Sequence, residues 1–217
     1  MYNLLVKELK LGVSPFFYLL PFLTGALMLI PGWLYFFVIL YFCFITVPIM
    51  FAGYNAQNDL IFSSMMPVTK KDIVKARVSV VVILEVLHII VAMVYGFITL
   101  RLYPNQDYTF FAPTFGFWGL CFIMLAVFNI IFFTMYYKTA HKFGAATLVA
   151  TIAAILFAGG AEWIGIQNSY LFHLFKGTGA DNLATQLSIL IMGIGIFAIL
   201  TIITYYISQK RFEKVEV

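Results

Sequence analysis

Glu85 and His88 stand three residues apart inside an uninterrupted apolar stretch, so on a helix they share one face. A carboxylate and an imidazole placed this way have the makings of a metal pair, an acid–base site or a contact for a cationic region of a substrate. A metal site needs three or four converging ligands, and the sequence has neither an HExxH nor a second acidic cluster to complete one. Cys43 and Cys121 lie in separate apolar runs and form no CxxC, which points away from a zinc site or a disulfide framework. There is no GxxxxGK[ST] phosphate loop, so ATP hydrolysis is not expected of this chain. No resident metal or cofactor is expected either.

The stretch around Glu85 is one of several of its kind. Of 217 residues, 63% are hydrophobic and 10% charged, far from the ~25% charged residues of a soluble domain. A bilayer core of ~30 Å calls for about 20 mostly apolar residues in a helix. Six runs meet that length, near 13–30, 33–53, 78–99, 115–135, 144–162 and 185–207. They are continuous rather than alternating, which excludes barrel strands. The longest piece between them, 54–77, has 24 residues, too few for an independent core. The expected fold is a single all-α integral membrane domain over 1–217.

Basic residues set its orientation. With the N-terminus inside, the cytoplasmic pieces carry Lys7, Lys10, Lys70, Lys71, Lys75, Arg77, Lys138, Lys142, Lys210, Arg211 and Lys214, against Arg101 and Lys176 outside. An even number of spans then leaves both termini in the cytoplasm of a multi-pass protein, and the net charge of +4 needs no nucleic acid to explain it. Before the first span, residues 1–12 read as an interfacial helix. Met1, Tyr2, Leu5, Val6 and Leu9 fall on one arc, with Asn3, Lys7 and Lys10 turned toward headgroups; the plainer alternative is the frayed start of the first span. Glu85 is eight residues beyond Arg77, roughly 12 Å deep at helical rise. Its placement there costs about 2.5–3.5 kcal/mol, so it faces either the transport route or a partner such as His88 or Asn129. Span two is rich in aromatics, among them Tyr41 and Phe44, which either line a route for an amphipathic substrate or face lipid or neighbouring helices. The outer pieces 101–114 and 164–176 are aromatic too, and the second suggests a short interfacial or re-entrant helix.

The connector 54–77 is the most patterned exposed piece. Asn58 and Asp59 precede the semi-apolar Leu60-Ile61-Phe62 and Ser63, Pro67 breaks the chain, and Thr69 with Asp72 three residues on has the form of a capping box. This predicts a short helix near 56–65 and a second one from Thr69, through Lys70 and Lys71, into span three. An apolar turn between polar flanks suits docking into a groove on a soluble partner; the alternative is a solvated loop whose lysines only set topology.

Asn58-Asp59-Leu60 and Met66-Pro67-Val68-Thr69-Lys70-Lys71-Asp72-Ile73-Val74 resemble the connector of the ABC-2 type permeases, the membrane subunits of one class of ATP-driven exporters. Within them the chain is most similar to small six-span bacterial permeases for export of, or immunity to, amphipathic peptides such as phenol-soluble modulins and bacteriocins. Met65-Met66 stands where Ser-Leu is usual, and Lys70 where Arg is common. The resemblance implies a location in the bacterial plasma membrane and a pathway formed by two permease subunits, identical or not. It also implies a separate cytoplasmic ATPase that binds ATP and Mg and docks on Asn58, Asp59, Leu60, Ile61, Phe62, Ser63, Pro67, Thr69, Lys70, Lys71 and Asp72. The competing readings are a proton- or ion-coupled secondary carrier, an intramembrane enzyme built on Glu85 and His88, and a scaffold or immunity protein that binds a peptide without moving it.

Overall fold

The computed structural model describes residues 2–65, 67–106, 108–140, 142–176 and 182–215, without the side chains of Tyr2 and Ser64. Met1 and Met66, which belong to the patterns above, lie outside the described residues. Among the described residues every regular element is helical. In chain order they are α1 (Tyr2–Lys7, continued by a π turn over Glu8–Gly12), α2 (Phe16–Gly25, continued as 3-10 helix over Ala26–Leu29) and α3 (Phe36–Tyr41). A π turn over Phe42–Thr46 joins α3 to α4 (Val47–Ala56). There follow α5 (Asp59–Met65), α6 (Lys70–Leu102), α7 (Phe115–Thr139), α8 (Phe143–Gln167), α9 (Ser169–Lys176) and α10 (Leu183–Phe212).

Among the described residues five helices are long and apolar enough to cross a membrane: α3–α4 together over Phe36–Ala56, α6, α7, α8 and α10. A sixth span is reached only by joining Asn3–Gly12 to Phe16–Leu29 across a bend of 67°. The expected first span at 13–30 is thus curtailed. Its helix covers 14 residues, about 21 Å at α-helical rise. The cause is local: Pro15 begins it, Pro21 sits inside it, and Pro31-Gly32, with Gly32 at φ 73°, turns the chain back. The other long helices lie over the apolar runs, the second starting at Phe36 rather than 33 and the rest reaching past their runs at one or both ends; the third, for instance, starts at Lys70 rather than 78.

α7 is the hub. It packs chiefly against α10 and next against α8, and its Phe117, Trp118, Phe128, Phe132, Phe133, Tyr136 and Tyr137 are fully buried. Phe128, Phe132 and Tyr136 stack along one side, with near-parallel rings 5.6 and 6.0 Å apart. α10 approaches α7 at Gly119 and Gly193, where a Cβ on Gly193 would stand 2.2 Å from the Gly119 carbonyl oxygen. In lipid, helices gain little from hydrophobic burial against each other, so such close backbone packing carries much of the association. α8 and α10 are the least buried of the long helices.

The aromatic segment 164–176 contains a short helix, α9. Its Phe175 ring stacks on Phe111 at 4.4 Å, and its Phe175 carbonyl accepts the Ala112 N–H at 3.2 Å.

Candidate functional site

The connector folds as an elbow of two turns and a helix. α4 runs on to Ala56, so α5 starts at Asp59 rather than near 56. Between them Asn58 takes the left-handed conformation, φ 50°, which Asn tolerates better than most residues. Its carbonyl accepts the Phe62 N–H at 3.1 Å to open α5. Past Pro67 the expected capping box is present. Thr69 Oγ1 accepts the Asp72 N–H at 3.2 Å, and Asp72 Oδ2 accepts from the Thr69 backbone at 3.4 Å.

α5 has two faces. Asp59 and Ser63, four residues apart, are buried against the bundle, whereas Ile61, Phe62 and Met65 are 49%, 58% and 80% exposed. The inward face enters a charge cluster. Arg77, fully buried on α6, donates through Nη2 to Asp59 Oδ2 at 2.7 Å and through Nη1 to the Tyr136 hydroxyl of α7 at 3.2 Å. Its guanidinium also lies 4.4 Å from the centre of the Tyr54 ring, a favourable cation–π geometry. Lys7 of α1 completes the cluster, with Nζ 2.5 Å from Asp59 Oδ1, 3.1 Å from Ser63 Oγ and 3.6 Å from Glu8 Oε1. Burial by itself would raise the Asp59 carboxyl, but Lys7 and Arg77 outweigh it and hold the group below the usual aspartate range.

Four elements, α1, α5, α6 and α7, are therefore wired through one carboxylate and one guanidinium. Buried charges persist only when paired and hydrogen-bonded, and Asp59 is paired with both Lys7 and Arg77. Glu8 lies beside the cluster, 3.6 Å from Lys7. It is fully buried, and the space beside its carboxylate is left by Gly12, where a Cβ would meet Glu8 Oε2 at 2.8 Å and the Tyr54 hydroxyl at 2.9 Å.

Lys7 does not face headgroups as the helical-wheel reading of α1 expected; it turns inward to Asp59. Leu4 and Glu8 are the buried residues there. The wheel of a single helix does not carry the counter-charge on α5 that draws Lys7 inward, and the π turn at Glu8–Gly12 follows it.

The residues expected to dock a partner are thus divided. Ile61 and Phe62 face outward, Leu60 is half-buried, Asn58 and Pro67 are exposed in the turns, and Asp59 and Ser63 serve the cluster. Thr69 and Asp72 cap α6. Lys70 donates to the Val215 carbonyl at 2.6 Å and Lys71 pairs with Glu213 at 3.7 Å, so the end of the chain is tied to the start of α6.

Among the described residues and cavities, the four residues expected along a transport route share no cavity. Glu85 is fully buried and accepts from Asn129 Nδ2 at 2.7 Å, the partnership with a second helix that its membrane depth allowed. His88 Nε2 is 2.8 Å from the Val38 carbonyl oxygen, to which it donates, and packs edge-on against Phe42. Among the described residues no hydrogen bond joins Glu85 to His88. Tyr41 is half-buried. Phe44 opens onto an apolar furrow of about 480 Å³ with Pro48, Phe143, Leu148 and Ile152. A second pocket of about 260 Å³ continues along α8 past Ile155 to Trp163 and Ile166.

A family model described as ABC-2 family transporter protein matches residues 3–213. The chain belongs to the ABC-2 transporter family. No curated protein and no solved structure matches it. Membership makes the chain a multi-pass membrane permease of an ABC transporter, a component that is generally not itself catalytic and that generally works with an ABC ATPase. The matched segment takes in α1, the elbow and all the long helices. The Lys7–Asp59–Arg77–Tyr136 cluster thus lies within the ABC-2 domain. The sequence alone does not show it, since there Lys7 reads as an inside-positive, headgroup-facing charge and Arg77 as an inside-positive charge. The available signal was Arg77 itself, set between Val74, Ala76 and Val78 where a surface arginine has no reason to be.

Proposed function

We propose that this chain is the transmembrane subunit of an ATP-driven exporter of amphipathic peptides, energised through α5. The observation that carries the reading is the two-sidedness of that helix. Ile61, Phe62 and Met65 offer an apolar knob to a soluble partner, while Asp59 and Ser63 on the opposite face hold Arg77 of α6 and Lys7 of α1. A cytoplasmic ATPase that binds ATP and Mg seats the knob, and its closure displaces α5. The displacement passes through Asp59 to α6 and through Tyr136 to α7. Two permease subunits, identical or not, enclose the pathway. Both chain ends and the elbow face the cytoplasm of a bacterial cell, and α1 lies along the inner leaflet. The apolar furrow beside Phe44, which runs along α8, supplies a track for the apolar face of an amphipathic helix, a better match to a peptide than to a polar solute.

The reading is tested by co-purification with the co-expressed ATPase and by ATP-dependent peptide uptake into inside-out vesicles. Ile61→Glu/Phe62→Glu reduces recovered ATPase about tenfold or more, the effect of burying charge in a hot spot, and abolishes uptake. Lys7→Met retains the ATPase but lowers uptake per ATP hydrolysed. Wild-type ATPase recovery by the double glutamate variant overturns the docking surface. Equal uptake of a scrambled peptide without helical periodicity overturns the substrate class.

A further inference from the structure

At the end of the bundle that carries most of the basic residues, α7, α8 and α10 enclose a cleft of about 550 Å³. Its lining includes Lys138 in the last turn of α7, Lys142 just before α8, Arg211 in the last turn of α10, and Lys214. Among the described residues no acidic side chain lines it, and none of the three lysines is in an ion pair. Four cations converging on one concavity repel one another, and an anion relieves that repulsion.

The cleft has a fixed frame. Arg211 Nη1 donates to the Thr134 carbonyl at 2.5 Å, anchoring α10 to α7. The α7–α8 turn is closed by Ala140, held in the left-handed region at φ 62°, with its N–H on the Tyr136 carbonyl at 2.7 Å. The Lys142 N–H donates to Thr139 Oγ1 at 3.2 Å. A non-glycine residue rarely takes that conformation; here it stands between Lys138 and Lys142.

Three of the four cations sit at or just beyond the ends of membrane-length helices, which is headgroup depth. The walls between them are apolar at Met135, Ala145, Ala146 and Val215. Farther into the membrane, α8 and α10 leave Leu148, Leu156, Ile199 and Ile202 exposed, apolar surface against which acyl chains can lie. A concave site bounded in this way suits a small anionic headgroup with attached tails better than the flat surface of a folded protein. Basic pockets between membrane helices are built to hold such groups.

We propose that the cleft between the ends of α7, α8 and α10 binds the phosphate headgroup of an anionic membrane phospholipid through Lys138, Lys142, Arg211 and Lys214. The bound lipid fills the space between α8 and α10 at that surface and braces the two least buried long helices against the hub.

The test is native mass spectrometry of the full chain, released from nanodiscs of phosphatidylcholine containing phosphatidylglycerol. Wild-type protein retains phosphatidylglycerol in preference to phosphatidylcholine. Lys138→Gln/Lys142→Gln weakens that retention about thirtyfold, from about fivefold for each lysine near a charged surface. Lys10→Gln/Lys75→Gln removes the same charge elsewhere at that end and leaves retention unchanged; circular dichroism shows both variants folded. Equal retention of the two lipids, or an equal drop in the control variant, overturns the proposal. Displacement of phosphatidylglycerol by inorganic phosphate at cellular concentration overturns the lipid as the source of the anion. Loss of ATPase co-purification in Lys138→Gln/Lys142→Gln with phosphatidylglycerol retention intact overturns it in favour of a protein contact.

Discussion

At the scale of single residues, Asp59 has the most to answer for. Its two oxygens serve Lys7 and Arg77, so Asp59→Asn leaves a fully buried guanidinium without its counter-ion. Breaking a buried pair from one side costs about 3–5 kcal/mol, and thermal unfolding in detergent at neutral pH should show a loss of that order. The pH dependence has a definite sign. The carboxyl is held below the usual aspartate range when folded, so its stabilisation is complete above the unfolded aspartate pKa. It is lost as the pH falls through the lowered folded value. The wild-type midpoint therefore falls on acidification where that of Asp59→Asn stays nearly level, and parallel acid limbs would contradict the pairing. Spacing reveals nothing of this cluster, because residues 7, 59, 77 and 136 meet only through tertiary packing. Glu85 is more legible: polar groups within the spans are so few that the sequence offers His88 and Asn129 as partners, and Asn129 is the one that donates to it.

At the scale of elements, signals confined to a few consecutive residues were readable and those that depend on a neighbour were not. Pro67 and the Thr69–Asp72 box fix the end of the elbow and the start of α6 because each acts within one turn. The π turns at Glu8–Gly12 and Phe42–Thr46 leave no such mark, and the inward turn of Lys7 depends on Asp59 of α5. The contact of α10 with α7 also escaped notice, since Gly119 and Gly193 have meaning only as a pair. A Cβ at Gly193 meets backbone rather than a movable side chain, so Gly193→Ala must part the two helices. The expected cost is about 1–3 kcal/mol, as for other overpacked interiors. Gly195, whose added Cβ meets nothing within 4 Å, is the control: Gly195→Ala leaves the midpoint unchanged or raises it, helped by the better helix propensity of Ala. Equal losses at both positions would contradict the close approach.

At the scale of the molecule, composition alone dictated an all-helical membrane protein, because an apolar run of about 20 residues has few other solutions. The number of spans was harder to read. Hydropathy counts residues, whereas the prolines around α2 decide how many of them rise along one axis, and the result is five helices plus a bent pair. Family membership implies an ABC ATPase partner, and the proposed place of their meeting is α5. Cysteine cross-linking in membranes co-expressing the ATPase tests that meeting most directly. Cys43 and Cys121 are buried, so the background is low. The account predicts adducts to the ATPase from Phe62→Cys and Met65→Cys, and none from Leu102→Cys, an equally exposed site at the far end of α6. Adducts from Leu102→Cys alone, or from none of the three, would contradict it.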